Sequence, residues 1–202
     1  MSKIRLKCRL IFPLLLILFA QLTNAHTTAI VGGTVIDLDG KAPLEDAVIL
    51  IDGERITALG KAGDVRIPDK AKVIDAKGKW LIPGLMNMHV HLGLVLPGKQ
   101  KAALANESNA ALALRMAAAA REALQAGVTT IRLPGDKRHA DLALKRAIEK
   151  GQAHGPRIFS AGESLSITAG HGSKKPGKIN YDGPYELVKA ARTQISAGAS
   201  WI

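Results

Sequence analysis

Cysteine and aromatic residues are nearly missing from this chain. Its 202 residues include one cysteine, Cys8, and 3 % aromatics. A lone thiol closes no intrachain disulfide, so stability cannot rest on covalent staples. With so few rings, Ala, Leu, Ile and Val must fill the interior, within a hydrophobic fraction of 47 %. That filling suits a helix-rich α/β interior better than an aromatic-rich β protein. Phosphate-cradling patterns are missing too: neither G-x-G-x-x-G nor G-x-x-x-x-G-K-[ST] occurs. There is also no G-x-S-x-G elbow and no Ser-His-Asp order.

Charge is lopsided, with 28 Lys and Arg against 17 Asp and Glu, a net +11. The basic residues are scattered singly and no basic block interleaves with aromatics, so no nucleic-acid partner is expected. Part of the excess sits at the N-terminus. Lys3, Arg5, Lys7 and Arg9 precede an apolar run from Leu10 to Ala20, and Thr23-Asn24-Ala25 supplies small residues for cleavage. This is the pattern of a secretory signal peptide over residues 1–25, cut after Ala25. The rival, a membrane anchor, is disfavoured by a run short of the roughly 20 residues needed and broken by Pro13. Cleavage leaves 24 basic against 17 acidic residues and no cysteine. The mature chain is expected to be periplasmic or secreted, without a stable membrane span.

Residues 26–83 read as a small β-sandwich part. Thr28–Ile36 is a strand carrying Gly32-Gly33, followed by a turn at Asp37-Leu38-Asp39-Gly40. Ala47–Ile51 and Arg55–Leu59 flank an Asp52-Gly53 hairpin signal. Lys72–Asp75 and Lys79–Ile82, around Ala76-Lys77-Gly78, read as a second hairpin.

After Pro83-Gly84 the rhythm becomes strand–helix. The expected strands are Leu85–His91, Val128–Leu133, Arg157–Ala161 and the start of a fourth at Ala199–Ile202. Between them lie helices over Glu107–Gln125, capped by Ser108 or Asn106, over Asp141–Lys150, and from Pro184 to about Ser196. A loop at 94–106 contains Pro97-Gly98, and a Gly-rich loop covers 162–183. The alternation implies a parallel sheet, and a (β/α)8 TIM barrel is its favoured closed form. A whole barrel takes about 250 residues. Residues 84–202 therefore cover three βα units and the opening of a fourth strand, an incomplete barrel.

The chemistry centres on His89 and His91. On a strand, residues two apart share a face, so the imidazoles lie about 7 Å apart and can converge on one metal ion. Alone, His-x-His is a weak signal, and ordinary packing explains most such pairs. The Pro83-Gly84 entry and the following βα run strengthen it. His171, in Thr168-Ala169-Gly170-His171-Gly172, has glycines that free the backbone to approach a ligand; a plain exposed loop is the competing reading. His139 and His154 read as surface residues beside the second helix, and His26 as a disordered terminus. Arg132 ends a strand, either facing the mouth or in a structural ion pair. Glu163 and Ser164 follow the third strand.

Taken together, Lys79–His91, Ala126–Arg132 and Gly155–Ile158 resemble the amidohydrolase superfamily of metal-dependent hydrolases. Ser166–Gly172 is similar to the imidazolonepropionase-like and Xaa-Pro, Xaa-Arg and Xaa-Lys dipeptidase branch, and the Ala47–Gly60 hairpin to the sandwich such enzymes carry before the barrel. The resemblance implies that His89 and His91 bind a divalent metal, zinc first, as one or two ions. It implies a metal-activated hydroxide hydrolysing C–N bonds of a small-molecule or dipeptide substrate, with His171 near that substrate. The remaining ligands of the family, a carboxylated lysine, two histidines and an aspartate, belong to later strands, so no catalytic residue is assigned within this chain. A homo-oligomer is compatible with a full-length parent. The family has aspartate where Asn87 stands and Arg-Asp where Arg132-Leu133 stands. Two alternatives accompany this reading: a truncated, non-catalytic product, and a β-sandwich binding module with a helical tail.

Overall fold

A computed structural model describes residues 27–36, 39–95, 104, 106–171, 173 and 179–202. The expected signal peptide, His26, Asp37-Leu38, Pro97-Gly98 and Gly172 lie outside the described residues. The chain divides into two compact units, Met1–Pro83 and Gly84–Ile202.

In the first unit β1 (Thr28–Val35), β2 (Leu44–Asp52), β3 (Arg55–Lys61), β4 (Lys72–Asp75) and β5 (Trp80–Leu81) form one five-stranded sheet. Strand β2 pairs antiparallel with β1 and with β3, and the Asp52↔Arg55 register closes the expected hairpin. Alternation along β2 sends Val48 and Leu50 inward, where they meet Ala29 of β1 in a small core.

The second expected hairpin does not form. Strands β4 and β5 both run parallel to β1, one after the other, Thr28–Val31 pairing with the first and Thr34-Val35 with the second. The turn between them steps the chain sideways without reversing it. Lys77 N–H donates to Asp75 Oδ1 at 2.9 Å and Lys79 N–H to the Ala76 carbonyl at 2.9 Å. The step matches an irregularity in β1 at Gly32-Gly33. Gly32 has φ +79°, and a Cβ on Gly33 would come within 2.8 Å of the Leu81 side chain.

In the second unit β6 (Leu85–Asn87), β7 (Val128–Leu133) and β8 (Arg157–Ser160) form a parallel sheet in sequential order. Helices α1 (Asn109–Gln125) and α2 (Ala140–Glu149) complete the βα units, and α3 (Pro184–Ala197) follows β8. Helix α1 starts at Ser108, whose Oγ accepts from Ala111 N–H at 3.2 Å. Glu107, expected inside the helix, precedes it because Ser108 is the extended N-cap residue, and the Glu107 carboxylate is engaged by Arg115 Nε and Nη2 at 2.8 and 2.7 Å. That bond to Arg115 holds the Glu107 carboxyl below its ordinary value.

Leu112, Met116 and Ala120 recur four apart along α1 and form its buried stripe. They meet Ile131 and Leu133 of β7, Ala140 and Leu144 of α2, and Ile158 of β8 in one core. Both helices thus cover the same face of the sheet, as in a barrel wall, whereas a doubly wound sheet carries helices on both faces. On the other face Met86 and Phe159 are exposed.

Two strand boundaries differ from expectation. The first strand stops at Asn87, because the Asn87 side chain takes the His89 N–H at 3.1 Å and bends the chain out of the ladder. Residues 199–202 form no strand. One bond, Ser200 N–H to the Ser160 carbonyl at 2.7 Å, sets this segment beside β8 where a fourth strand would start.

Candidate metal centre

Parallel strands release their outgoing loops at one edge, and the candidate site is built there. The segment after β6 stays attached to β7 although it is no longer a strand. Arg132 Nε donates to the Met88 carbonyl at 2.8 Å, and Val90 N–H donates to the Arg132 carbonyl at 3.0 Å. Held this way, His89 and His91 project into solvent side by side, with ring centroids 5.2 Å apart and planes at 72°. The pair belongs to a bent strand exit and not to a strand face. Among the described residues Arg132 has no ion-pair partner; its guanidinium lies 4.6 Å from the centroid of Trp201.

His91 is oriented by its partner. Its Nδ1 lies 2.7 Å from the Gly135 carbonyl oxygen. A carbonyl only accepts, so Nδ1 carries the proton and Nε2 of the neutral ring presents a bare lone pair. Metal-binding histidines are typically fixed in this manner, the second nitrogen donating to a carbonyl or carboxylate. The two imidazoles therefore fit a divalent ion of the Zn, Fe, Mn or Ni class as part of its shell. Among the described residues no group of three or more His, Cys, Asp or Glu is placed to hold a metal; a tetrahedral zinc shell takes four donors, and two imidazoles amount to half of that number.

The loop after β7 carries the supporting contacts. Gly135 has φ +156°, and a Cβ there would approach Ser164 N to 2.8 Å, so a larger residue would displace the carbonyl that orients His91. Asp136 accepts from Gly93 N–H at 2.9 Å and from Lys137 N–H at 3.0 Å, and its own N–H reaches the Gly162 carbonyl at 2.9 Å. Arg138 N–H donates to Glu163 Oε1 at 2.9 Å. Gln194 of α3, buried, accepts through Oε1 from Glu163 N–H at 2.9 Å and from His139 Nε2–H at 2.8 Å. His139 is thus a half-buried tie between α2 and α3, against the expected surface position, while His154 is exposed.

Beneath these loops Asp141 is fully buried. Ser160 Oγ donates to its Oδ2 and accepts from Gly162 N–H at 2.8 Å. Burial pushes the Asp141 carboxyl above its ordinary value, and the Ser160 bond opposes that shift.

His171 lies apart. It is exposed in a turn where its main-chain carbonyl accepts from Ser166 Oγ at 3.1 Å, and no hydrogen bond or ring contact joins it to His89 or His91. Thr168 in the same segment is held through N–H and Oγ1 by Asp182 at 2.7 and 2.6 Å, and the hydroxyl bond keeps the Asp182 carboxyl below its ordinary value. Sequence reasoning missed the orienting carbonyl of Gly135 and the contacts of Asp136, Asp141 and Gln194. Only Pro134-Gly135, as a strand terminator, hinted at any of them.

Comparison with known proteins agrees with this architecture. A family model described as the amidohydrolase family matches residues 80–202. Ochratoxinase of Aspergillus niger is 30 % identical over 219 aligned residues, covering 92 % of this chain and 43 % of that protein. Its crystal structure superposes with a TM-score of 0.70 at 30 % identity, over 87 % of this chain and 46 % of that one. A Xaa-Pro dipeptidase with methionine bound in its active site gives a TM-score of 0.75 at 32 % identity, over 86 % of this chain and 45 % of that one. The chain thus spans less than half the length of these relatives, and its second unit is part of a barrel of their kind. On the match over residues 80–202, this chain belongs to the amidohydrolase family, whose members are hydrolases.

Proposed function

We propose that this chain contributes the His89/His91 half of a divalent metal centre to a hydrolase cleaving C–N bonds in small molecules, dipeptides included. The observation that carries this is the orientation of His91, whose Nδ1–H is held by Gly135 so that Nε2 is free to bind metal, with His89 beside it. The family generally uses divalent metals, and zinc is our first choice for two neutral imidazoles. When bound, the ion would supply Lewis acidity and bring the pKa of a bound water toward 7. The chain's own residues hold the two imidazoles at the mouth, fix one tautomer and tie the three outgoing loops together. His171 is proposed to meet substrate, from a segment whose turn is held by Asp182 and Ser166.

A second reading has its own support. Two ligands alone do not complete a zinc shell, and among the described residues no third joins them, so in this reading the chain takes up metal without hydrolysing. One experiment separates the two. Zinc uptake and hydrolysis of a dipeptide panel are measured for the chain and for His89→Ala and His91→Ala. Uptake with hydrolysis, both lost in the variants, supports the hydrolase. Uptake without hydrolysis supports the second reading, and equal uptake by all three proteins sinks the site.

We further propose export, from the basic and apolar pattern of residues 1–25. No helix among the described residues is long and apolar enough to cross a membrane. Mass spectrometry of the mature N-terminus should find His26 first. An intact Met1 in the exported fraction would overturn the cleavage.

A further inference from the structure

The segment from Val90 to Gly93 is attached to the outgoing end of β7 by three bonds in sequence. Val90 N–H reaches the Arg132 carbonyl, His91 Nδ1–H reaches the Gly135 carbonyl, and Gly93 N–H reaches Asp136 Oδ2. The first two acceptors are backbone carbonyls that any residue supplies. The third is a side chain, and it is the element of this attachment that the sequence chooses.

Asp136 is placed to control the other two. Its Oδ1 accepts from Lys137 N–H, which pins its carboxylate against its own loop. Its N–H donates to the Gly162 carbonyl, so the Gly135–Asp136 peptide is held from the β8 side as well. On the receiving side Gly93 is buried and its carbonyl accepts from Arg115 Nη2 at 3.3 Å. A Cβ on Gly93 would run into the Asp136 carboxylate, so the close approach needs glycine there. The residue two places after His91 is therefore clamped on both sides, and the carbonyl that fixes the His91 ring belongs to the residue just before Asp136.

We propose that Asp136 is a positioning residue for the metal-binding pair: it locks the Val90–Gly93 segment against the Gly135 carbonyl and so holds His91 in the tautomer that leaves Nε2 free. This rests on the proposed metal site, but its first consequence needs no metal. Loss of the Gly93 anchor loosens the segment, the His91–Gly135 bond lengthens, and the imidazole populates both neutral tautomers. The second consequence is weaker metal binding. Removing the support behind a metal-ligating histidine typically costs about 10–100-fold in affinity.

The test uses the full 202-residue chain, native and as Asp136→Ala and Asp136→Asn. At about pH 8, where imidazoles are neutral, the 15N shifts of His91 in the metal-free protein report the tautomer. Amide exchange at Gly93 reports the anchor, and titration with Co(II) reports affinity. The native chain should show a single Nδ1–H tautomer and a protected Gly93 amide. D136A should show mixed tautomers, fast exchange at Gly93 and a Kd raised about 10–100-fold. D136N keeps an acceptor oxygen for Gly93 and should restore the native His91 shifts. Should D136A not fold, Asp136→Ser, too short to reach Gly93, carries the same expectation. Unchanged His91 shifts and Gly93 exchange in the short variants would overturn the proposal, whatever their metal affinity. Mixed tautomers in a chain that takes up no Co(II) even as the native protein would uphold Asp136 and overturn the metal reading instead.

Discussion

The two units bury their apolar residues in different ways, and the difference explains where polar chemistry collects. In the first unit antiparallel pairing of β1, β2 and β3 sends successive connections to opposite ends of the sheet. Its core is small, Ala29, Val48 and Leu50, with Val31, Ala58, Val65, Ile67 and Ala71 packed around it. In the second unit three parallel strands share a direction, so all their outgoing loops leave at one edge. His89, His91, Gly135, Asp136, Gly162 and Glu163 all belong to those loops. A core built from β7, β8, α1 and α2 supports them. Strand polarity, more than the number of polar residues, decides which unit can assemble a site.

If each unit rests on its own core, the largest effect comes from opening the larger one. Leu133→Ala removes a fully buried side chain, and Leu→Ala changes of this kind cost about 2–5 kcal/mol. Urea unfolding followed by hydrogen exchange should show the loss in residues 84–202 and none in 27–83. Val48→Ala should do the reverse, at about 1–2 kcal/mol for two buried methyls. Loss of protection in both units from either substitution would break the comparison.

The next test concerns the carboxyl beneath the site. Asp141 has its folded-state value raised by burial, so folding favours its protonated form. The associated stability is fully present below the ordinary aspartate value and is lost as pH rises through the raised one. Asp141→Asn cannot ionise. The stability of the variant relative to native should therefore increase as pH rises from acid toward neutral, read as the difference in urea midpoint. A difference independent of pH would show that folding leaves the Asp141 carboxyl unshifted, and a difference that falls as pH rises would show that the fold favours its charged form.

The smallest effect is at the surface. Lys145, half-buried, and Glu149, exposed, lie one turn apart on α2 at 3.8 Å. Lys145→Met should change stability by no more than about 0.5 kcal/mol, and salt should erase the change. A larger loss would mean that α2 depends on surface charge and not on Leu144 and its neighbours.

Much of the second unit was legible because its signals are local. The helix-forming composition of residues 107–125, the Ser108 cap and Pro184 at the first position of α3 each act within a few residues. The β4–β5 hairpin was misread because a turn centred on Lys77-Gly78 reverses a chain or merely steps it, and pairing with β1 decides which. The strand through His91 was misread for a similar reason. Val90 and Leu92 look like strand residues, yet the Asn87 side chain captures the His89 N–H and ends the ladder first. His171 was a candidate on its flanking glycines and on the family resemblance of its segment, and glycine permits a ligand contact without creating one.

By itself the sequence determined the α/β class and the strand and helix order of residues 85–197, and the family resemblance nominated the two histidines. These follow from periodicity, caps and short motifs, which need no knowledge of distant residues. The tertiary structure alone decided that His91 donates to Gly135, that Asp136 clamps Gly93 and that Asp141 is buried against Ser160. The first two contacts join residues more than forty positions apart and the third joins residues nineteen apart. They exist only because parallel pairing brings the ends of β6, β7 and β8 to one edge, where a backbone carbonyl that looks like any other in the sequence becomes the group that orients a ring.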